Sequence, residues 1–176
     1  KEEILLNNSV EHSHTGDYSL RLFGETKEWY IGGIAAYVKK DLKNMNALKL
    51  LIRSDQKNKG EMIIQLFDDD NNNAFIELDP NDKTRLLFDD VFIYTLPINW
   101  VGWQVVIIPL DYFVDDNDGV GDGTLNPFQT DESGGLINFQ LLLLSDEKEG
   151  FTNIRIDQIK FYKQKESKGR SNKRIR

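Results

Sequence analysis

The chain has 176 residues, 39% of them hydrophobic, with 22 Lys and Arg against 29 Asp and Glu for a formal net charge of −7. The length suits one domain of about 150 residues with a sizeable core, and the absence of Cys excludes a disulfide framework and a thiolate metal site. No run approaches the roughly 18 apolar residues of a membrane span and the start lacks a basic-then-apolar leader, so the expectation is a soluble chain excised from a longer precursor.

Apolar residues recur with a period of two rather than 3.6, which predicts strands over residues 18–23, 33–39, 47–54, 61–67, 73–79, 91–96, 103–109, 136–144 and 153–163. Ahead of them, His12 and His14 form H-S-H without a third ligand at zinc spacing. Residues 38–46 hint at helix but read as a short turn. The run D-D-D-N-N-N at 68–73 has the composition of a hairpin turn. The longest connection, 111–135, is rich in Asp, Asn and Gly. Its D-D-N-D-G-V-G-D at 115–122 either wraps a calcium ion with hard oxygen ligands or is an exposed acidic loop. An EF-hand register fails, because Gly119 at the sixth position puts Val114 first and Leu125 twelfth, where carboxylates are required. The terminal strand, N-I-R-I-D-Q-I-K-F-Y-K, carries Asp157 in what reads as its apolar face; a bound cation is the expected reason, with a Lys partner or a capped turn as the other. Residues 163–176 hold seven basic residues and one acidic, and taking this +6 from −7 leaves about −13 for the body. Such a body repels phosphates and the tail has no aromatic ring to stack bases, which excludes nucleic acid as a partner. Residues 1–163 are therefore expected to form a single domain, with 164–176 a disordered linker or vector-derived end.

Nine short strands without helical crossovers predict an all-β fold, an antiparallel β-sandwich. Polar residues stand mid-strand among apolar ones at Arg53, Gln65, Glu77, Gln104 and Gln140. Alternation sets Gln65 on the face opposite Ile64 and Leu66, and Gln140 opposite Phe139 and Leu141. The expectation is a polar stripe across adjacent strands, meeting sugar hydroxyls with planar hydrogen-bonding groups, while Trp29, Tyr94 and Trp100 supply flat faces for the rings. Tyr30, Tyr37 and Tyr112 are further aromatic choices, and an ordinary solvent-facing sheet is the alternative. There is no G-x-S-x-G and no Cys nucleophile. A glycosidase carboxylate pair leaves no motif, and the expectation is that the chain is not an enzyme.

The segments W-Q-V-V-I-I-P-L at 103–110, L-I-N-F-Q-L-L-L-L at 136–144, I-R-I-D-Q-I-K-F at 154–161 and G-D-Y-S-L-R-L at 16–22 resemble, over residues 9–163, the calcium-binding jelly-roll modules attached to bacterial polysaccharide-degrading enzymes. The resemblance implies a galactose-binding-domain-like jelly roll. It implies a structural Ca2+ held by Asp157 and by carbonyls near Thr15 and Asp17, with Glu3 or Glu11 as the second carboxylate, and Trp103 packed as structure. It further implies a carbohydrate-binding module, secreted or at the cell surface, covalently linked to a catalytic or surface domain, that takes a β-glucan or related polysaccharide in a concave groove during cellulose or hemicellulose degradation. The other reading of the same fold is a structural or interaction domain of a bacterial surface protein, with no sugar site.

Overall fold

A computed structural model describes residues 14–55, 60–130, 133–145 and 150–165. They form nine strands: β1 (Leu20–Thr26), β2 (Tyr30–Lys40), β3 (Ala47–Ser54), β4 (Gly60–Asp69), β5 (Asp90–Pro97), β6 (Gly102–Pro109), β7 (Val114–Asp115), β8 (Gly135–Ser145) and β9 (Gly150–Tyr162). A four-stranded sheet has the order β1-β9-β3-β6 and a five-stranded sheet the order β2-β8-β4-β5-β7. Every pairing is antiparallel. The chain passes repeatedly from one sheet to the other, which makes this antiparallel sandwich a jelly roll. Among the described residues no helix is long and apolar enough to cross a membrane.

Period-two alternation explains the core. Met62, Ile64 and Leu66 of β4 and Phe139, Leu141 and Leu143 of β8 turn inward to meet Leu48, Leu50 and Ile52 of β3 and Ile154 and Ile156 of β9. Each such side chain contributes about 1.5–3 kcal/mol on burial. The strand ends follow from Pro97 and Pro109, which supply no N–H to extend a ladder.

Two elements differ from expectation, and the short turn expected within residues 38–46 is present. Residues 73–79 are not a strand: β4 runs on to Asp69, and residues 70–89 form an irregular connection whose single ladder contact is Leu78 with Leu86. The Asp69 carboxylate accepts the N–H groups of Asn73 (3.1 Å) and Ala74 (2.6 Å), and the Asn73 amide oxygen accepts that of Phe75 (2.8 Å). Side chains thus take the donors that a hairpin would need. Ile76 and Leu86 from this connection pack with Phe67, Val91, Val120 and Ile137 in a second apolar cluster. Residues 38–46 hold no helix; β2 continues to Lys40, and Lys43 N–H then bonds to Asp41 Oδ1 at 2.9 Å in a side-chain-closed turn. The connection between β7 and β8 is packed rather than free, with Val120 buried and Asn117 accepting from Val91 N–H (2.6 Å) while donating to the Asp89 carbonyl (2.9 Å).

Candidate functional site

The site is built on the face of the five-stranded sheet turned away from the core. Gln65 on β4 and Gln140 on β8 are direct register partners there, flanked by Ile93 on β5 and Ala35 on β2. The next pair on this face is Ile63 with Leu142, and beside Leu142 lies Gly33. A Cβ at Gly33 would come within 2.8 Å of the Leu141 carbonyl, so glycine keeps this part of the sheet flat. Neither glutamine amide has a hydrogen-bond partner among the described residues, and each is half-buried. They open into a cleft of about 440 Å³ whose walls include Thr84 and Arg85 from the β4–β5 connection and Asp116 and Asn117 from the β7–β8 connection. One position pair further along β2, Tyr37 is 57% exposed and its hydroxyl donates to the Ala74 carbonyl, next to Phe75, which is 68% exposed. Two accessible rings therefore stand together where β2 meets the β4–β5 connection.

The residues expected to form one stripe are divided between two sheets. Arg53 and Gln104 lie on β3 and β6 of the four-stranded sheet, with Arg53 paired to Asp55 at 3.2 Å and Gln104 exposed at the edge strand. Glu77 is in the β4–β5 connection, where its Oε1 accepts the side-chain amides of Asn71 (3.3 Å) and Asn73. Tyr94 pairs with Ile64 on the inward face and its ring lies 5.8 Å from that of Phe113. Trp100 packs on the main core with its Nε1 buried. Trp29 is 63% exposed beside Tyr30, in the β1–β2 turn at the far end of β8, where its carbonyl accepts Ser145 N–H. Of the eight, Gln65 and Gln140 share the cleft. Sequence reading missed Thr84 and Arg85, because they fall between the strands expected at 73–79 and 91–96, in a stretch without a motif.

Asp157 does not interrupt the apolar face. Ile154 and Ile156 point inward, and a bulge with Gln158 at φ 52° follows Asp157, which pairs with Leu51 on the opposite face. Its Oδ2 accepts from His14 N–H (3.1 Å), Thr15 N–H (2.9 Å) and Thr15 Oγ1 (3.2 Å). Donors meet this oxygen where the resemblance implies carbonyls around a cation. Asp17 is exposed in the same bend; Glu3 and Glu11 lie outside the described residues.

A second group of carboxylates was not anticipated. Asp68, Asp70 and Asp90 each bring one oxygen to within 4.8 Å of the others. Asp68 and Asp90 are register partners on β4 and β5, both completely buried, and Asp70 is half-buried. Burial, with the neighbouring carboxylates adding to it, pushes the Asp68 carboxyl up to about 8 and that of Asp70 to about 7, and raises Asp90. Burial beside Glu77 and Asp69 pushes Asp89 to about 7. Proton-holding carboxyls suit acid catalysis, but Asp68 and Asp90 expose no surface to a polymeric substrate. The legible signal was the D-D-D of 68–70 facing the D-D of 89–90, once the β4–β5 pairing is known.

No family model and no curated protein matches the sequence. The fold does match solved structures. One is the family 11 carbohydrate-binding module of the cellulosomal cellulase Lic26A-Cel5E of Clostridium thermocellum, 15% identical with a TM-score of 0.54, covering 92% of this chain and 83% of that one. Another is the family 11 module from Clostridium thermocellum in complex with a β-1,3-1,4-mixed-linked tetrasaccharide, 13% identical with a TM-score of 0.55, covering 92% and 84%. At these identities the likeness is one of fold.

Proposed function

We propose that this chain is a non-catalytic polysaccharide-binding module that takes a β-glucan or related chain across the outer face of β8 and β4. The observation that carries this reading is the opposed pair Gln65 and Gln140, with free amides on the floor of a cleft. Amides of this kind donate to and accept from sugar hydroxyls. Tyr37 and Phe75 offer flat apolar surface to the faces of the sugar rings. The fold likeness to a module holding a mixed-linkage tetrasaccharide supports the substrate class. In this reading the module is secreted or displayed at a cell surface and concentrates a covalently attached domain on its polymer.

A specific feature favours the second reading, a structural or interaction domain: the β4–β5 connection covers one end of the sheet with its own apolar cluster. Affinity electrophoresis in gels containing mixed-linkage β-glucan, xylan or mannan separates the two. Retardation by the β-glucan supports the module; unretarded migration in every gel transfers the assignment to the structural domain.

A further inference from the structure

We propose that Asp68, Asp70 and Asp90 form a calcium site that locks the β7–β8 connection onto the β4–β5 pair, apart from the Asp157 position that the family resemblance indicates. Three carboxylates in one place, two of them without exposed surface, cost several kcal/mol unless an opposite charge is present. Among the described residues no Lys or Arg pairs with them; the ion pairs made by Arg53 and Arg155 both go to Asp55.

The oxygens are sorted in a way that fits an ion. One oxygen of each carboxylate is held by a backbone N–H: Asp68 Oδ2 by Asn126 (2.8 Å), Asp70 Oδ2 by Asp90 (3.1 Å) and Asp90 Oδ2 by Gly123 (2.7 Å). The other oxygen of each, Oδ1, is buried and has no hydrogen-bond partner. Outer-shell amides that fix a carboxylate while its second oxygen is left for the metal are the usual support of a ligand set. Asn126 also has a buried amide oxygen without a partner. Oxygens that all lie within 4.8 Å of one another are close enough to share a calcium ion, whose ligands lie about 2.3–2.6 Å from it. Gly121, at φ 66°, lies directly against the group, and a Cβ there would overlap Asp90 Oδ1 and Asp70 Oδ2. The set is all oxygen, which selects a hard cation over zinc. Three carboxylates in one group suit calcium, which takes several protein oxygens, whereas magnesium is usually held by one or two carboxylates and keeps several waters.

The test uses the full chain after chelator treatment, with calcium chloride as the probe. Calorimetry is expected to show one saturable binding heat assigned to these residues. At about 1 mM calcium, a site of about 10 μM affinity should raise the melting temperature by roughly 5–10 °C. Asp68→Asn and Asp90→Asn keep the shape and remove the charge. Each is expected to lose the calcium response while melting in chelator no lower than the wild type, because a like-charge repulsion is gone. Asp157→Ala is expected to retain the response. The proposal is overturned if the wild type shows neither heat nor a rise in melting temperature, if both Asn variants respond as the wild type does, or if Asp157→Ala alone abolishes the response.

Discussion

Gln65 and Gln140 are the residues on which the functional reading turns, and they sit where an ordinary sheet position and a ligand contact predict opposite phenotypes. Each has its aliphatic stem on the sheet and its amide in the cleft, so Gln65→Ala or Gln140→Ala should remove about one net hydrogen bond, roughly 1 kcal/mol, and weaken polysaccharide binding about five-fold. The melting temperature should stay within about 1 °C, because no buried partner is left unpaired. Tyr94→Ala should do the reverse. Its ring packs on Phe113 and the core, so chemical denaturation should show a loss of about 2 kcal/mol or more with affinity unchanged. A variant of Gln65 that is destabilised yet binds normally would remove it from the site. Both glutamines were legible from alternation alone, because one buried face forces the other outward. Their separation from Arg53 and Gln104 was not legible. Alternation gives the face of a strand but says nothing about which sheet the strand joins, and in this fold the chain changes sheets between β3 and β4 and again between β5 and β6.

At the scale of elements, the β4–β5 connection is where sequence reading and structure diverge most, and the cause is turn chemistry. Asn and Asp between residues 68 and 73 do mark a reversal. Their side chains then cap successive backbone N–H groups, so the chain curls over the sheet and never pairs as residues 73–79 were expected to. What holds the curl down is Leu86 and Ile76 on Phe67, Val91 and Ile137. Leu86→Ala should therefore cost about 2–3 kcal/mol in urea unfolding, far more than a surface loop position would. The β7–β8 connection makes the same point. As a solvent loop it would tolerate shortening, since doubling a loop's length changes closure entropy by only about 0.6 kcal/mol. With Val120 in the cluster and Asn117 bonded to Val91 and Asp89, removing residues 117–121 should instead lower stability by more than about 2 kcal/mol.

Across the whole molecule the charge balance gives the fold a pH dependence whose sign depends on the ion. In chelator, Asp68, Asp70, Asp89 and Asp90 all have folded-state proton affinities raised above the ordinary value of 3.8, Asp68 to about 8 and Asp70 and Asp89 to about 7. The native state then binds more protons than the unfolded chain between about pH 4 and pH 8. Stability is full below the ordinary carboxyl value and declines as pH rises through that window. Calcium reverses the slope at Asp68, Asp70 and Asp90, because the ion takes only deprotonated carboxylates and must displace their protons at low pH. The gap between melting temperatures with and without calcium should accordingly be small near pH 5 and widen steadily toward about pH 8. A scan of melting temperature against pH, run in parallel in chelator and in calcium chloride, measures that gap directly. A gap that does not change with pH would mean that Asp68, Asp70 and Asp90 do not take part in binding the ion.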